Sequence, residues 1–117
     1  ISLKLILPAV AGILKDGGCV ASLVKPQFEA GREKVGEKGV VRDPTVHKEV
    51  LEHYLEHAQE AGFGVLGLTY SPIRGPEGNI EYLGFLKKGA EAAQTFDLDA
   101  LVAESHEALN EHGEGHT

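Results

Sequence analysis

A run of six residues, Cys19–Val24, constrains the fold of this 117-residue chain more than any other feature. The run carries no charge, and it is bounded by Gly17 and Gly18 on one side and by Lys25 and Pro26 on the other. A segment this short and this apolar is typical of a buried strand, and such strands occur mainly in parallel sheets covered by helices. The sequence therefore predicts an α/β domain with a parallel sheet.

Helical patterns lie before and after this strand. Ser2 can cap a first helix whose apolar residues recur at helical spacing. Asp43 and Pro44 can begin a second helix, which should end at Gly62. A short third helix is expected from about Asp97, and the residues after it should fray from Glu111 onward.

Strand patterns and a long loop complete the organisation. Residues 63–70 and 79–86 are expected to form two strands that could pair directly. Residues 26–43 contain glycines among alternating charges and are expected to form a long loop, which in a compact domain is usually functional. The order of helices and strands predicts half of a layered α/β domain.

Composition limits the class of protein. The length fits one domain, and no apolar run approaches the roughly 20 residues that cross a bilayer. The single cysteine, Cys19, cannot form an intrachain disulfide, so a reducing compartment and a cytoplasmic location are expected. The chain holds no methionine and begins with Ile1 without the pattern of a signal peptide, so we expect its natural amino terminus to be missing.

The net charge of −7 is distributed unevenly. Residues 1–88 hold all the lysines and arginines and are neutral overall, whereas residues 89–117 hold seven acids and no base. We therefore interpret 1–88 as the folded domain and 89–117 as an acidic tail with a short helix. Within 25–42 there is an excess of two positive charges, although the negative total would ordinarily count against a nucleic-acid partner.

Two residues are candidates for chemistry. Lys25 follows the first strand directly, where ligands bind in open α/β sheets, and Pro26 holds its backbone extended. A partly desolvated amine there could transfer a proton, but a lysine at a strand end can also simply reach water with its charged head. Glu81 is the second candidate, and the alternative for it is the solvent face of an edge strand.

Four segments carry a resemblance to a known family: Ile1–Pro8, Lys25–Glu29, Gly39–Pro44 and Gly75–Glu81. Together they resemble the closing half of the TlyA family, which comprises ribosomal RNA methyltransferases of the FtsJ-like class that have long been described as haemolysins. The resemblance spans about residues 1–88. It implies the C-terminal half of a Rossmann-like, S-adenosylmethionine-dependent methyltransferase fold, with three strands and flanking helices.

The resemblance also implies an activity. The family transfers a methyl group from S-adenosylmethionine to the 2′-hydroxyl of cytidine in ribosomal RNA, with a Lys-Asp-Lys-Glu set of catalytic residues and no metal. Lys25 matches the second lysine, which helps to deprotonate the hydroxyl, and Glu81 matches the glutamate that helps to orient it. Ribosomal RNA or a ribosomal subunit is the implied partner, and no membrane is involved.

Other parts of the family's pattern would lie upstream of this chain. They are the glycine-rich cofactor loop, the first catalytic lysine, the catalytic aspartate and an S4-like RNA-binding domain. The chain's own glycines do not form Gly-x-Gly-x-x-Gly after a strand, so it is expected to be a fragment that does not bind the cofactor unaided. One flank of the strand Cys19–Val24 would then lack a neighbour, which predicts self-association.

Several alternatives stay open at this stage. The basic residues of the long loop could contact RNA phosphates or simply be solvated; they are Arg32, Lys34, Lys38 and Arg42. The sequence from His53 to His57 matches the His-x-x-Glu-His pattern of inverted zinc proteases, but both histidines should flank an apolar stripe rather than face a cleft. A non-catalytic RNA-binding or assembly module is the main rival to the enzyme, and a haemolytic pore has no amphipathic cationic helix to support it.

Overall fold

The computed structural model describes residues 2–31, 35, 39–75, 78–90 and 95–114, with the backbone alone described for 110–114. Its helices and strands follow the predicted order, and a further short helix opens the segment that was expected to be a loop. In chain order they are α1 (Leu3–Ile13), β1 (Cys19–Val24), α2 (Pro26–Glu29), α3 (Pro44–Glu60), β2 (Phe63–Tyr70), β3 (Tyr82–Lys88) and α4 (Leu98–Glu114).

Local signals account for where α1 and α3 begin. The hydroxyl oxygen of Ser2 accepts a hydrogen bond from the backbone N–H of Lys4, and the carboxylate of Asp43 accepts one from that of Thr45. Pro44 occupies the start of α3, where its missing N–H leaves no hydrogen bond unmade. Both predicted caps are confirmed.

The three strands form one sheet in the order β1-β3-β2, with β3 in the centre. Val24 of β1 pairs with Tyr82 of β3, and Tyr70 of β2 pairs with the same tyrosine from the other side. The predicted direct pairing of β2 with β3 is confirmed. The two strands are joined by residues 71–81, so the chain reverses direction between them.

The prediction of a parallel sheet is wrong for the pairings observed, because β3 is antiparallel to both of its neighbours. β1 and β2 do run in the same direction, with α3 between them along the chain, as in a βαβ unit. β3 lies between them, so the two parallel strands never pair with each other. Sequence pattern indicated the strands but carried no information about this insertion.

One face of the sheet carries the core. Residues of β1, β3 and β2 pack there against α1, α3 and α4, and burial of their apolar side chains supplies the main stabilisation. The members with at most 2% exposure are Leu7, Val24, Val41, Leu51, Tyr54, Ala58, Phe63, Tyr82 and Leu86.

The opposite face of the sheet is more open. In β1 only Ser22 and Val24 are buried, while Leu23 is 39% exposed, so the predicted buried strand is buried on one face only. Leu66 of β2 and Phe85 of β3 are 46% and 43% exposed.

α4 is longer than the short helix expected and continues through residue 114, past the point where fraying was predicted. Leu98 and Val102 are buried in the core, and Ser105 is fully buried. The domain boundary at residue 88 stays a prediction, but this part of the acidic segment packs on the rest of the fold.

Candidate active site

Lys25 and Glu81 lie at the same end of the sheet, where the pairing of β1 with β3 ends. The last paired residues of β1 and β3 are Val24 and Tyr82; Lys25 directly follows the first and Glu81 directly precedes the second. On its other side Glu81 accepts, through its backbone carbonyl, a 2.8 Å hydrogen bond from the N–H of Ser71. The two predicted catalytic residues thus lie at one edge of the sheet.

Lys25 is half-buried at the junction between β1 and α2. Its backbone carbonyl accepts hydrogen bonds from Phe28 and Glu29, which closes the first turn of α2. Its ammonium lies 5.4 Å from the centroid of the Phe28 ring, a cation–π contact. The amine therefore lies beside an exposed aromatic ring at the carboxyl end of β1, where the sequence predicted it.

Glu81 is 5% exposed and directly precedes β3, the central strand of the sheet. The alternative that it lies on the solvent face of an edge strand is therefore wrong. The amide nitrogen of Gln27 donates a 2.9 Å hydrogen bond to one carboxylate oxygen. Gly75 lies against the same carboxylate, because a Cβ atom at position 75 would overlap it. A buried carboxylate held by a donor is the arrangement expected of a functional group whose direction matters.

α2 also connects this edge to the start of α1. One carboxylate oxygen of Glu29 accepts a 2.9 Å hydrogen bond from the backbone N–H of Leu3, and the other accepts a 2.8 Å bond from the hydroxyl of Ser2. A carboxylate at this position satisfies a helix N–H that has no partner within the helix. The four-residue α2 is thereby fixed at both ends, by Glu29 and by the bond from Gln27.

Asn79 bonds the end of the segment between α2 and α3 to the chain just before β3. Its side-chain oxygen accepts a 2.9 Å hydrogen bond from the N–H of Val41, and its nitrogen donates a 2.9 Å bond to the carbonyl of Gly39. Asn79 is 2% exposed. Arg42, the next residue after Val41, is exposed. The other three residues of the predicted RNA contact lie outside the described residues: Arg32, Lys34 and Lys38.

A buried histidine, His47, lies near the start of α3. Its Nε2 donates a 2.8 Å hydrogen bond to the carbonyl of Val41, so its Nδ1 is an acceptor in the neutral ring. The Nε2 of His106 lies 2.9 Å from that Nδ1, and the hydroxyl of Tyr82 lies 3.1 Å from it. Burial lowers the pKa of His47 to about 4, although the bond to Val41 opposes the effect.

The polar cluster continues into α4. The hydroxyl of Ser105 donates a 2.8 Å hydrogen bond to the carbonyl of Val102, which leaves its oxygen to accept from the hydroxyl of Tyr82 at 2.9 Å. Burial raises the pKa of Tyr82 to about 12 and lowers the pKa of His106. The cluster joins α3, β3 and α4 with neutral groups and is a structural feature of the fold.

Beside His53 and His57, the described residues supply no third ligand for a zinc ion. His53 and His57 have ring centroids 6.2 Å apart and line a groove of about 400 Å³ with Ser2 and Glu29, which corrects the expectation that they face no cleft. In the part of the chain that is described, no group of three or more His, Cys, Asp or Glu residues is placed to hold a metal ion. Within the same ranges no helix is long and apolar enough to cross a membrane.

The glycines of the described ranges do not form a glycine-rich cofactor loop. Gly62, Gly64 and Gly67 have the spacing Gly-x-Gly-x-x-Gly, but they follow a helix, and the last two lie inside β2. A Cβ atom at Gly64 would clash with Ala90, and one at Gly67 would press on the ring of Phe85. These two glycines therefore make room for neighbouring chain within the fold.

Sequence reasoning missed three residues of this edge: Gln27, Gly75 and Asn79. Gln27 follows Lys25 by two positions, and Gly75 and Asn79 lie just before Glu81, so all three fall inside segments that carried the family resemblance. That clustering was the available signal. Nothing in the local pattern showed that Gln27 reaches a residue 54 positions away.

Comparison with known proteins gives a consistent result. The chain is 45% identical over 116 residues to YqxC of Bacillus subtilis, which is provisionally assigned as an rRNA methyltransferase. It is 37% identical over 111 residues to the 16S/23S rRNA (cytidine-2′-O)-methyltransferase TlyA of Mycobacterium tuberculosis. Each alignment covers 95% of this chain, and the chain spans 41% of the length of each relative.

A solved structure shares the fold. A provisionally assigned haemolysin of Streptococcus thermophilus superposes with a TM-score of 0.91 at 47% identity, over 97% of this chain and 42% of that one. The profile of the FtsJ-like methyltransferases matches residues 1–88, the part that holds β1, β2, β3 and both candidate catalytic residues. The chain therefore belongs to the FtsJ-like methyltransferase family.

Proposed function

We propose that this chain supplies the substrate-side residues of a methyltransferase that uses S-adenosylmethionine to modify the ribose 2′-hydroxyl of cytidine in ribosomal RNA. The observation that carries the proposal is that Lys25 and Glu81 directly flank Val24 and Tyr82, the last residue pair of β1 and β3, at one end of the sheet. Both are residues that the family resemblance implies. The nucleotide comes from the name of the TlyA relative, which is 37% identical.

The chemistry requires a group that accepts a proton and a group that directs the nucleophile. Methylation of a hydroxyl releases its proton, and we propose that the neutral amine form of Lys25 receives it. Glu81 orients the hydroxyl, because its carboxylate is buried and held by Gln27. S-adenosylmethionine supplies the methyl group in this scheme, and the described residues of this chain form no recognisable cradle for it.

The remaining elements of the proposal concern binding and location. The exposed side chain of Arg42, together with Arg32, Lys34 and Lys38, is proposed to contact RNA phosphates. The chain alone is proposed not to bind S-adenosylmethionine. A cytoplasmic location follows from the choice of ribosomal RNA as the substrate.

A chimaera tests the catalytic assignment. This chain replaces the matching part of Bacillus subtilis YqxC, and transfer of a radiolabelled methyl group to ribosomal RNA is measured. Lys25→Ala should lower kcat by about a hundredfold or more, and Glu81→Gln should give a smaller loss of about tenfold. The affinity for S-adenosylmethionine should change less than twofold. Lys15→Ala, at an exposed lysine, is the matched control and should leave the rate unchanged.

The competing functions give different results in the same assay. A non-catalytic RNA-binding module would bind RNA equally well with or without Lys25 and would show no methyl transfer in the chimaera. A zinc enzyme would tolerate Lys25→Ala and lose its activity with His53→Ala or a chelator. Methyl transfer that survives Lys25→Ala at the wild-type rate would contradict the proposal.

A further inference from the structure

The side-chain amide of Gln27 is satisfied on one side only. Its nitrogen donates to the carboxylate of Glu81 at 2.9 Å, while its oxygen is buried and has no hydrogen-bond partner among the described residues. Buried polar atoms are nearly always paired, so an exception needs a physical reason. The carboxylate provides that reason.

The carboxylate fixes the direction of the amide. A carboxylate only accepts hydrogen bonds, so turning the amide over would bring two acceptor oxygens together. A hydrogen bond to a charged acceptor is also about twice as strong as one between neutral groups. Gln27 is therefore held with its nitrogen toward Glu81 even though its oxygen stays unpaired.

Two further contacts restrict Glu81. The backbone carbonyl of this residue is bonded to the N–H of Ser71, which fixes the peptide from which the side chain projects. Gly75 provides the space for the carboxylate, since any larger residue would overlap it. Gln27 is the side-chain donor in this arrangement, and it lies on the helix that begins directly after Lys25.

We infer that Gln27 is a positioning residue for methyl transfer, which holds the carboxylate of Glu81 in the orientation that serves the hydroxyl opposite Lys25. The inference rests on the proposed function. It goes beyond the proposed function because it explains why the amide oxygen of Gln27 stays unpaired: the amide nitrogen is needed to direct the carboxylate of Glu81. Gln27 acts through Glu81 and contacts neither reacting atom.

The alternative is a purely structural bond between α2 and the start of β3. The rate of Gln27→Met and its coupling to Glu81→Gln separate the possibilities. A purely structural bond would lower the stability in Gln27→Met and leave kcat of the folded enzyme unchanged. A positioning bond would lower that kcat, and the loss would vanish in the Glu81→Gln background.

The test uses the YqxC chimaera with Gln27→Met, which keeps the length of the side chain and removes the donor. We expect kcat to fall by up to about tenfold, no further than with Glu81→Gln, because Gln27 acts through Glu81, with KM for the cofactor and for RNA within about twofold. Gln59→Met, at an exposed position of α3, is the matched control. Gln27→Asn keeps the amide on a shorter arm and should show the same loss, should the methionine variant fold poorly.

Coupling to Glu81 completes the test. In the Glu81→Gln background, Gln27→Met should add no more than about a twofold loss, because both changes remove the same interaction. Multiplied losses, or an unchanged kcat for both Gln27 variants, would overturn the inference. An unchanged rate for Glu81→Gln alone would overturn the proposed role of Glu81 and, with it, this inference. Loss with Glu81→Gln but not with Gln27→Met would overturn only the inference.

Discussion

The hydroxyl groups of Tyr54 and Ser22 lie 2.6 Å apart and join α3 to β1 across the central strand. The bond passes over Gly84 of β3, where a Cβ atom would overlap the tyrosine hydroxyl. Burial raises the pKa of Tyr54, so the hydroxyl stays neutral. The absence of a side chain at position 84 is thus what lets a helix bond to the far strand of the sheet.

Gly84→Ala should destabilise the protein. The added methyl group must displace Tyr54 from Ser22, and overpacking of this kind costs about 1–3 kcal/mol. Urea denaturation followed by circular dichroism measures the change. Gly12→Ala is the matched control, because a Cβ atom there meets nothing within 4 Å and alanine favours the helix. Equal stability of the two variants would contradict the prediction.

Stability should fall in mild acid because of His47. Its pKa is about 4 in the folded protein and 6.5 in the unfolded chain, so the unfolded state binds more protons between these values. The neutral ring of His47 contributes about 3 kcal/mol to the free energy of unfolding. This contribution is complete above pH 6.5 and is lost progressively as the pH falls to 4. His106 shifts in the same direction, while Asp43 opposes the shift of both rings.

The dependence on pH can be assigned by substitution. His47→Gln should flatten the curve of unfolding free energy against pH between 6.5 and 4. His53→Gln, at an exposed histidine of the same helix, should leave its slope unchanged. A slope that persists in His47→Gln would show that other groups dominate the acid sensitivity.

Local signals made part of this fold predictable. The caps at Ser2 and Asp43 and the apolar stripe of α3 each depend on residues within a few positions of one another, and these elements begin where the sequence indicated. The insertion of β3 between β1 and β2 depends on pairing between distant segments. The same is true of the bond between Tyr54 and Ser22, which lie 32 residues apart.

The candidate site was also predictable only in part. Lys25 and Glu81 were identified through the resemblance of their surrounding segments to a family. The burial of Glu81 was not predicted, because it arises from Gln27, which is 54 residues away, and from the missing side chain of Gly75. Alternation along a strand describes one strand at a time and cannot reveal what a loop places over its end.

Asn79→Ala should make the backbone around Arg42 more mobile. The change leaves the N–H of Val41 and the carbonyl of Gly39 without the partners they have now, and unpaired buried polar groups cost about 1–3 kcal/mol. Cleavage by trypsin after Arg42 should become faster, and mass spectrometry of the products measures it. Gln59→Ala, at an exposed residue of α3, serves as the control and should be cleaved at the wild-type rate.

The open face of the sheet should make the chain self-associate at high concentration. Ala21 of β1 pairs in register with Phe85 of β3, and Gly67 of β2 pairs with the same phenylalanine. Leu23 and Leu66 are also exposed on these strands, at 39% and 46%. Contiguous exposed apolar surface of this kind favours contact with a second copy.

Sedimentation velocity of the isolated chain measures this association. We expect a dimer or a larger species at concentrations of about 100 μM, since a modest apolar contact gives only weak affinity. Phe85→Lys should shift the population to monomer, because it places a charge in the centre of the patch, where desolvation is costly. Ile73→Lys, at an apolar residue that is 75% exposed outside the sheet, is the matched control and should leave the association unchanged. A wild-type chain that stays monomeric throughout would contradict the prediction.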